Sequence, residues 1–263
     1  MVAGGMESMS NVPYYMDTLR SGSGYGHQKV LDAILKDGLW DVYNNVHMGN
    51  CAENTAAKMG ITREIQDAHA VESYRRAEKA IKDGVFNAEM APVTLKGKTP
   101  VVVSVDEEPS RVKYDKIPSL RPAFLKENGT VTAANASKLN DGASALVLMS
   151  GKKVKELGLK PLARIRGFSD GAHAPIDFPT APSVAVPRAL KMAGVTVNDV
   201  ALHEINEAFS VVVRANEAIL KLDPAKVNVA GGAVALGHPI GYAFFLVYFS
   251  FFLLLFAPDC SSG

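Results

Sequence analysis

Gly231-Gly232-Ala233-Val234-Ala235-Leu236-Gly237-His238-Pro239-Ile240-Gly241 is the stretch on which the reading of this chain turns. Glycines crowd both ends of a short apolar run, and Pro239 follows the one ionisable side chain, His238. Glycine lets other groups approach the backbone closely, and proline suits the first turn of a helix. His238 is therefore expected on a tight strand-to-helix junction, where many α/β proteins carry their sites. Upstream, Asn206-Glu207-Ala208-Phe209 stands at a second such junction, and His47-Met48-Gly49 precedes Ala52-Glu53-Asn54-Thr55. A lone Asn before a helix is most often an N-cap, and a lone His is most often structural. Gly237 and Pro239 around His238 shift that balance toward function.

Outward from these motifs the chain alternates. Residues 162–168 read as a strand, and Ser183 as the cap of a helix reaching Ala193 with Gly194 as its stop. A strand over 200–205, a helix over 207–220 and a strand over 227–230 follow, a rhythm that predicts an α/β architecture. Before Gly151 the clearest element is a helix from Thr62 to about Asp83. Thr62 caps it, Glu64 suits its positive end, Gly84 stops it, and Ile65, Ala68, Tyr74, Ala77 and Ile81 share a face. Extended segments are expected at 91–95 and 101–105, with short strands at 131–134 and 145–149. The last is wholly apolar, as a strand covered on both faces would be. The Gly-, Ser- and Met-rich residues 4–26 read as loops.

With 263 residues and 48% hydrophobic content the chain is long enough to bury a sizeable core. A net charge of +1 excludes the global field expected of a nucleic-acid binder. The two cysteines, Cys51 and Cys260, exclude a disulfide scaffold. The first residues carry no basic or Arg/Ser-rich stretch, so no targeting segment is expected there, and they read as the end of a buried strand running into a Gly turn. The run from Tyr242 to Ala257 is apolar except for Ser250. It is shorter than the roughly 20 residues that span a bilayer as a helix, and no Lys or Arg flanks it. A membrane span, a buried helix and sequence foreign to the rest of the chain all remain open for it, and its Phe crowding favours the last.

Taken together, Gly4-Gly5-Met6-Glu7-Ser8-Met9-Ser10, Ala133-Ala134-Asn135-Ala136-Ser137, Asn140-Asp141-Gly142-Ala143 and the Asn206 and His238 motifs resemble the thiolase family, from Met1 to Gly241. The details are nearest its mitochondrial, acetoacetyl-CoA-forming members. The resemblance implies an α/β fold with layers αβαβα, built from two similar halves and a lid, and incomplete at both ends in this chain. Residues 1–9 and 139–155 would belong to the first half, 10–138 to the lid and 156–241 to the second half, with 242–263 outside the family pattern. It implies reversible condensation of two acetyl-CoA through a cysteine acyl-enzyme, in a dimer or tetramer, in mitochondria or alternatively the cytoplasm.

The same resemblance assigns residues. His238 would activate the nucleophilic thiol, and Asn206 would hold a water that donates to the enolate oxygen. Tyr74, Arg111, Val112, Lys113, Lys116 and Ser137 would contact coenzyme A, with Arg111 and Lys116 ranked above Lys113 at the phosphates. Tyr74, Ala133, Ala134, Ala136 and Val234 would surround a potassium ion, mostly through backbone carbonyls. His27, His69, His173 and His203 receive no role. The family's nucleophilic cysteine belongs upstream of Gly4, and its second cysteine in a Cys-x-Gly-Gly-Gly turn beyond Gly241. Cys51 and Cys260 fit neither place, so the 263-residue chain is expected to be inactive alone. The alternatives are a non-catalytic chain that binds CoA or lipid, and a membrane-anchored protein held by residues 242–257.

Overall fold

The structure, a computed structural model, describes residues 1–241. The apolar run of residues 242–257 and Cys260 lie outside the described residues. Strand β1 (Val2–Ser8) pairs with a strand far along the chain, Asp141–Val147, in antiparallel register from Val2↔Val147 to Ser8↔Asp141. The extended segments expected at 91–95 and 101–105 form β2 (Val93–Leu95) and β3 (Val101–Val103), which pair with each other as a hairpin, so the distant strand is β4. The apolar residues of β4 were expected to be covered on both faces; instead Leu146 is 38% and Val147 73% exposed.

The helices hold the core. Helix α1 (Met48–Met59) starts where the His47 ring Nδ1 accepts from Gly49 N at 2.8 Å. Helix α2 (Arg63–Lys82) has the expected ends: Thr62 Oγ1 accepts from Ile65 N, and Gly84 takes a φ of 71° just beyond it. Its buried face keeps Tyr74 and Ala77 of the expected apolar stripe but not the rest. Ile65 and Ala68 are exposed, while Gln66, Asp67, Ala70, Ser73, Tyr74, Ala77 and Ala80 point inward. Reading apolarity alone misplaced the stripe, because three of its members are polar groups with buried partners.

A short helix α3 (Gly151–Glu156) follows β4. Helix α4 (Pro182–Ala193) ends at Gly194 as expected, but Ala181 is its N-cap residue and the Ser183 hydroxyl donates to Thr180 O at 2.7 Å. Helix α5 (Ser210–Leu220) buries Val211, Val212 and Val213. β-Branched residues cost a helix under about 0.7 kcal/mol each, whereas full burial of a Val contributes about 1.5–3 kcal/mol, so packing decides. These valines join Ala52 and Ala56 of α1, Val131, Ile205 and Phe209 in one cluster.

Four expected strands do not form, among them the one at 131–134. Residues 162–168 carry no strand, and Leu162 is 98% exposed. Residues 200–205 and 227–230 meet at one parallel bridge, His203↔Val227. There the Asn228 side chain replaces the ladder, accepting from Ile205 N and donating to Ile205 O, both at 2.7 Å. Its own φ of 48° ends the extended run.

Candidate active site

Two buried carboxylates shape the loop that organises the site. Glu53 of α1 accepts from Thr130 N, Val131 N and the Thr130 hydroxyl at 2.6–3.0 Å. Asp67 of α2 accepts from Asn135 Nδ2 at 2.8 Å, and Asn135 Oδ1 accepts from Thr132 N at 2.8 Å. The strand expected at 131–134 is thus a side-chain-bonded turn, since its backbone donors are already taken.

That turn then joins both motifs. Ala136 bridges Phe209, Ser137 N donates to Ala208 O at 3.1 Å, and Ser210 N donates to Asn135 O at 2.8 Å. These contacts hold Phe209 extended, at φ −146° and ψ 152°, so α5 starts at Ser210 rather than at Glu207, and Asn206 is not its cap. Downstream, His238 N donates to Lys138 O at 2.9 Å and Asn140 Nδ2 donates to Leu236 O at 3.1 Å. Gly237 has a φ of 100°, and a Cβ there would lie 2.2 Å from the Asn140 side chain, so only glycine fits.

Asn206 and His238 meet directly, Nδ2 to Nε2, at 3.1 Å. With the amide nitrogen facing the ring, Nε2 accepts and Nδ1 carries the hydrogen. Nδ1 itself is buried with no hydrogen-bond partner. Burial pushes the imidazole pKa down to about 4, which keeps His238 neutral at neutral pH, with its one ring lone pair, on Nε2, facing Asn206. The end of β1 abuts the same turn: a Cβ on Gly241 would sit 2.9 Å from Glu7 Oε2.

Behind this pair lies Glu207, fully buried. Its carboxylate meets His69 Nε2 at 3.1 Å and accepts from Ser73 Oγ at 2.6 Å, Asn228 Nδ2 at 2.9 Å and Val234 N at 3.1 Å. Burial alone would push its pKa up; the hydrogen bond and charge of His69, with the bonds from Asn228 and Ser73, outweigh it and hold the carboxyl below its ordinary value. Glu207 thereby clamps α2 to both motifs and to the short helix α6 (Ala233–Leu236). His69, expected to be filler, is one of its partners; the pair is 138 residues apart in sequence, and no local signal announces it.

Tyr74, Val112, Tyr114 and Val234 pack in one cluster beside α6. Tyr74 is 2% exposed, its hydroxyl is 3.4 Å from Glu108 Oε1, and burial raises its pKa, with Glu108 adding to the effect. Arg111, Lys113 and Lys116 are exposed on the adjoining turns, Arg111 within 3.1 Å of Glu107 and Lys116 3.6 Å from Asp115. Val112 and Tyr114 tie that basic loop to the cluster. Ser137 is half-buried beside Ala208. Lys138 was not singled out from the sequence. Its ε-ammonium donates to Ala133 O at 2.6 Å and Ala136 O at 3.0 Å, and lies 5.5 Å over the Tyr74 ring. Burial pushes its pKa down to about 8, opposed by the charge of Glu108. A separate cleft of about 280 Å³, lined by His69, Glu72, Arg76, Glu207 and Arg214, excludes His238, Asn206 and Tyr74.

Comparison with known proteins bears on the whole of this arrangement. The thiolase N-terminal domain profile matches residues 1–152, and the thiolase C-terminal domain profile matches residues 159–250. Mouse mitochondrial acetyl-CoA acetyltransferase is 59% identical over 243 residues, 92% of this chain and 57% of that protein. The acetyl-CoA acetyltransferase of Yarrowia lipolytica is 59% identical over 244 residues, 92% of this chain and 60% of that protein. The chain therefore spans somewhat over half the length of these curated relatives. Among solved structures, Acat5 thiolase from Ascaris suum in complex with coenzyme A superposes with a TM-score of 0.88 at 47% identity, covering 95% of this chain and 65% of that one. Human mitochondrial 3-ketoacyl-CoA thiolase gives the same TM-score at 39% identity, covering 95% and 64%. The α/β thiolase fold expected from the motifs is the fold observed, over part of the relatives' length, and the chain belongs to the thiolase family.

Proposed function

We propose that residues 1–241 carry the base and oxyanion side of an acetyl-CoA C-acetyltransferase, which joins two acetyl-CoA reversibly into acetoacetyl-CoA through a cysteine acyl-enzyme. The observation that supports this most is the 3.1 Å contact between Asn206 Nδ2 and His238 Nε2 on two motifs that one turn holds together. A neutral His238 accepts the proton of an attacking thiol, because the thiolate is the nucleophile. Asn206 Nδ2 orients a water that donates to the developing enolate oxygen. Coenzyme A lies along the lid, taken here as residues 10–138, between residues 1–9 and 139–155 of one half and 156–241 of the other. Its phosphates meet Arg111 and Lys116, with Lys113 further out, and its pantetheine arm passes Ser137, Val112 and Tyr74. The mitochondrial names of the mammalian relatives support a mitochondrial setting, and the family's dimers or tetramers are the expected assembly.

The 263-residue chain by itself does not turn over in this reading. Cys51, the free cysteine among the described residues, is fully buried and its thiol is pushed up, first by burial and then by Asp41, which makes it a poor nucleophile. That same observation favours a second reading, a chain that binds CoA thioesters without turning them over. Purified protein is assayed for loss of acetoacetyl-CoA absorbance on addition of CoA. No loss above background is expected, and calorimetry with CoA should show binding that weakens in Arg111→Ala. Turnover that His238→Ala abolishes would overturn the claim of inactivity; CoA binding unchanged in Arg111→Ala would overturn the placement of the phosphates.

A further inference from the structure

The residues expected around a potassium ion do not fit one here. Ala133 O and Ala136 O converge, but they converge on the Lys138 ammonium, at 2.6 and 3.0 Å. Tyr74 offers its ring to the same charge at 5.5 Å, and Glu108, held near the Tyr74 hydroxyl, balances it. A free cation and this ammonium would compete for the same two oxygens, and the ammonium is tethered to the turn it binds. Tethering matters because a covalently attached ligand is present at a high effective concentration, whatever the salt outside.

We infer that the ε-ammonium of Lys138 replaces a free monovalent cation, fixing the 133–138 turn from within the chain. The consequence reaches His238 through the backbone. Lys138 closes the turn with its side chain and accepts from His238 N with its own carbonyl, at 2.9 Å. Lys138 is thus a positioning residue: it orders the turn whose carbonyl holds the His238 backbone N–H, and touches no reacting atom. An exposed lysine on a solvated loop would make neither carbonyl contact.

The test uses thermal unfolding of the whole chain, followed by helical circular dichroism, in potassium chloride against tetramethylammonium chloride at matched ionic strength. The natural chain should show the same Tm in both salts. Lys138→Ser removes the ammonium and opens the carbonyls; its Tm should fall, then rise by about 2–4 °C as potassium saturates the vacated oxygens. If this variant does not fold in tetramethylammonium chloride, recovery of the helical signal on adding potassium is the same result. Lys138→Met loses the charge but keeps a stem over the oxygens, so it should lose Tm and gain no potassium response. A potassium-dependent Tm in the natural chain would overturn the inference, as would a Ser variant indifferent to potassium. So would a potassium response in the Met variant, which would place the ion elsewhere. The readout does not require turnover, so its outcome is separate from that of the activity assay.

Discussion

Around Glu207, polar side chains are buried and hydrogen-bonded; along the β1–β4 ribbon, apolar side chains are exposed and the backbone does the pairing, apart from the bond of Ser8 Oγ to Asp141 Oδ1 at one end. Val2 is 72% and Met6 68% exposed on the ribbon, while Glu207, Asn135 and Asn228 are nearly inaccessible in the junction. A two-stranded ribbon is marginal in water without a covering layer, whereas a fully satisfied polar network specifies one geometry. The two regions therefore contribute differently. The junction fixes where His238 and Asn206 stand, and the ribbon contributes order only as far as something covers its faces.

The largest effect should come from the junction. Glu207→Ala strips the acceptor from His69, Ser73, Asn228 and Val234 N at once, and removal of one partner from a buried charged network costs about 3–5 kcal/mol. Urea unfolding measures it. A loss below about 1 kcal/mol would mean that water satisfies these donors and that the network specifies little.

A smaller effect should follow pH. His238 has a folded pKa pushed down to about 4, below the ordinary 6.5 of the unfolded chain. As pH falls below 6.5 the unfolded chain takes up this proton before the folded one does, so stability drops between pH 6.5 and about 4 and levels off below. Asn206→Asp puts a carboxylate beside Nε2, which favours the imidazolium and should shrink that drop. Denaturant midpoints across the acid range check this. An unchanged acid dependence in the Asp variant would separate Asn206 from His238 in solution.

The smallest effect belongs to the ribbon. Val147→Thr, at a position 73% exposed, should change stability by no more than about 0.5 kcal/mol, and β1 amides should exchange with solvent faster than those of α5. Slow exchange along β1 would break the comparison, since it would require a cover on the ribbon.

The elements legible in the sequence were those whose signals are local. Thr62 and Gly84 bracket α2, Gly194 ends α4, and glycines mark the His238 turn, each through a preference of the residue itself. What was not legible depends on partners distant in the chain. Residues 131–134 look like a strand until Glu53 and Asn135 take their donors. Residues 200–205 look like one until the Asn228 side chain stands in for the ladder. Polar Gln66, Asp67 and Ser73 occupy positions of α2 that a hydrophobic pattern leaves to solvent. In the candidate site, the motifs pointed to His238 and Asn206, whereas Lys138 and His69 acquire their contacts only through folding.

Gly232 adds a constraint on how this chain changes over generations. A Cβ there would lie 2.4 Å from the Glu207 carboxyl carbon, closer than real Cβ contacts come. A larger residue at 232 must push the carboxylate away from its buried partners, whereas shortening residue 207 first makes room. Substitutions at the two positions therefore have an order: 207 opens the path and 232 follows, while the reverse sequence passes through a clash. Glu207→Ala and Gly232→Ala should accordingly cost less together than the sum of their separate costs, a coupling that a double-mutant cycle reads directly.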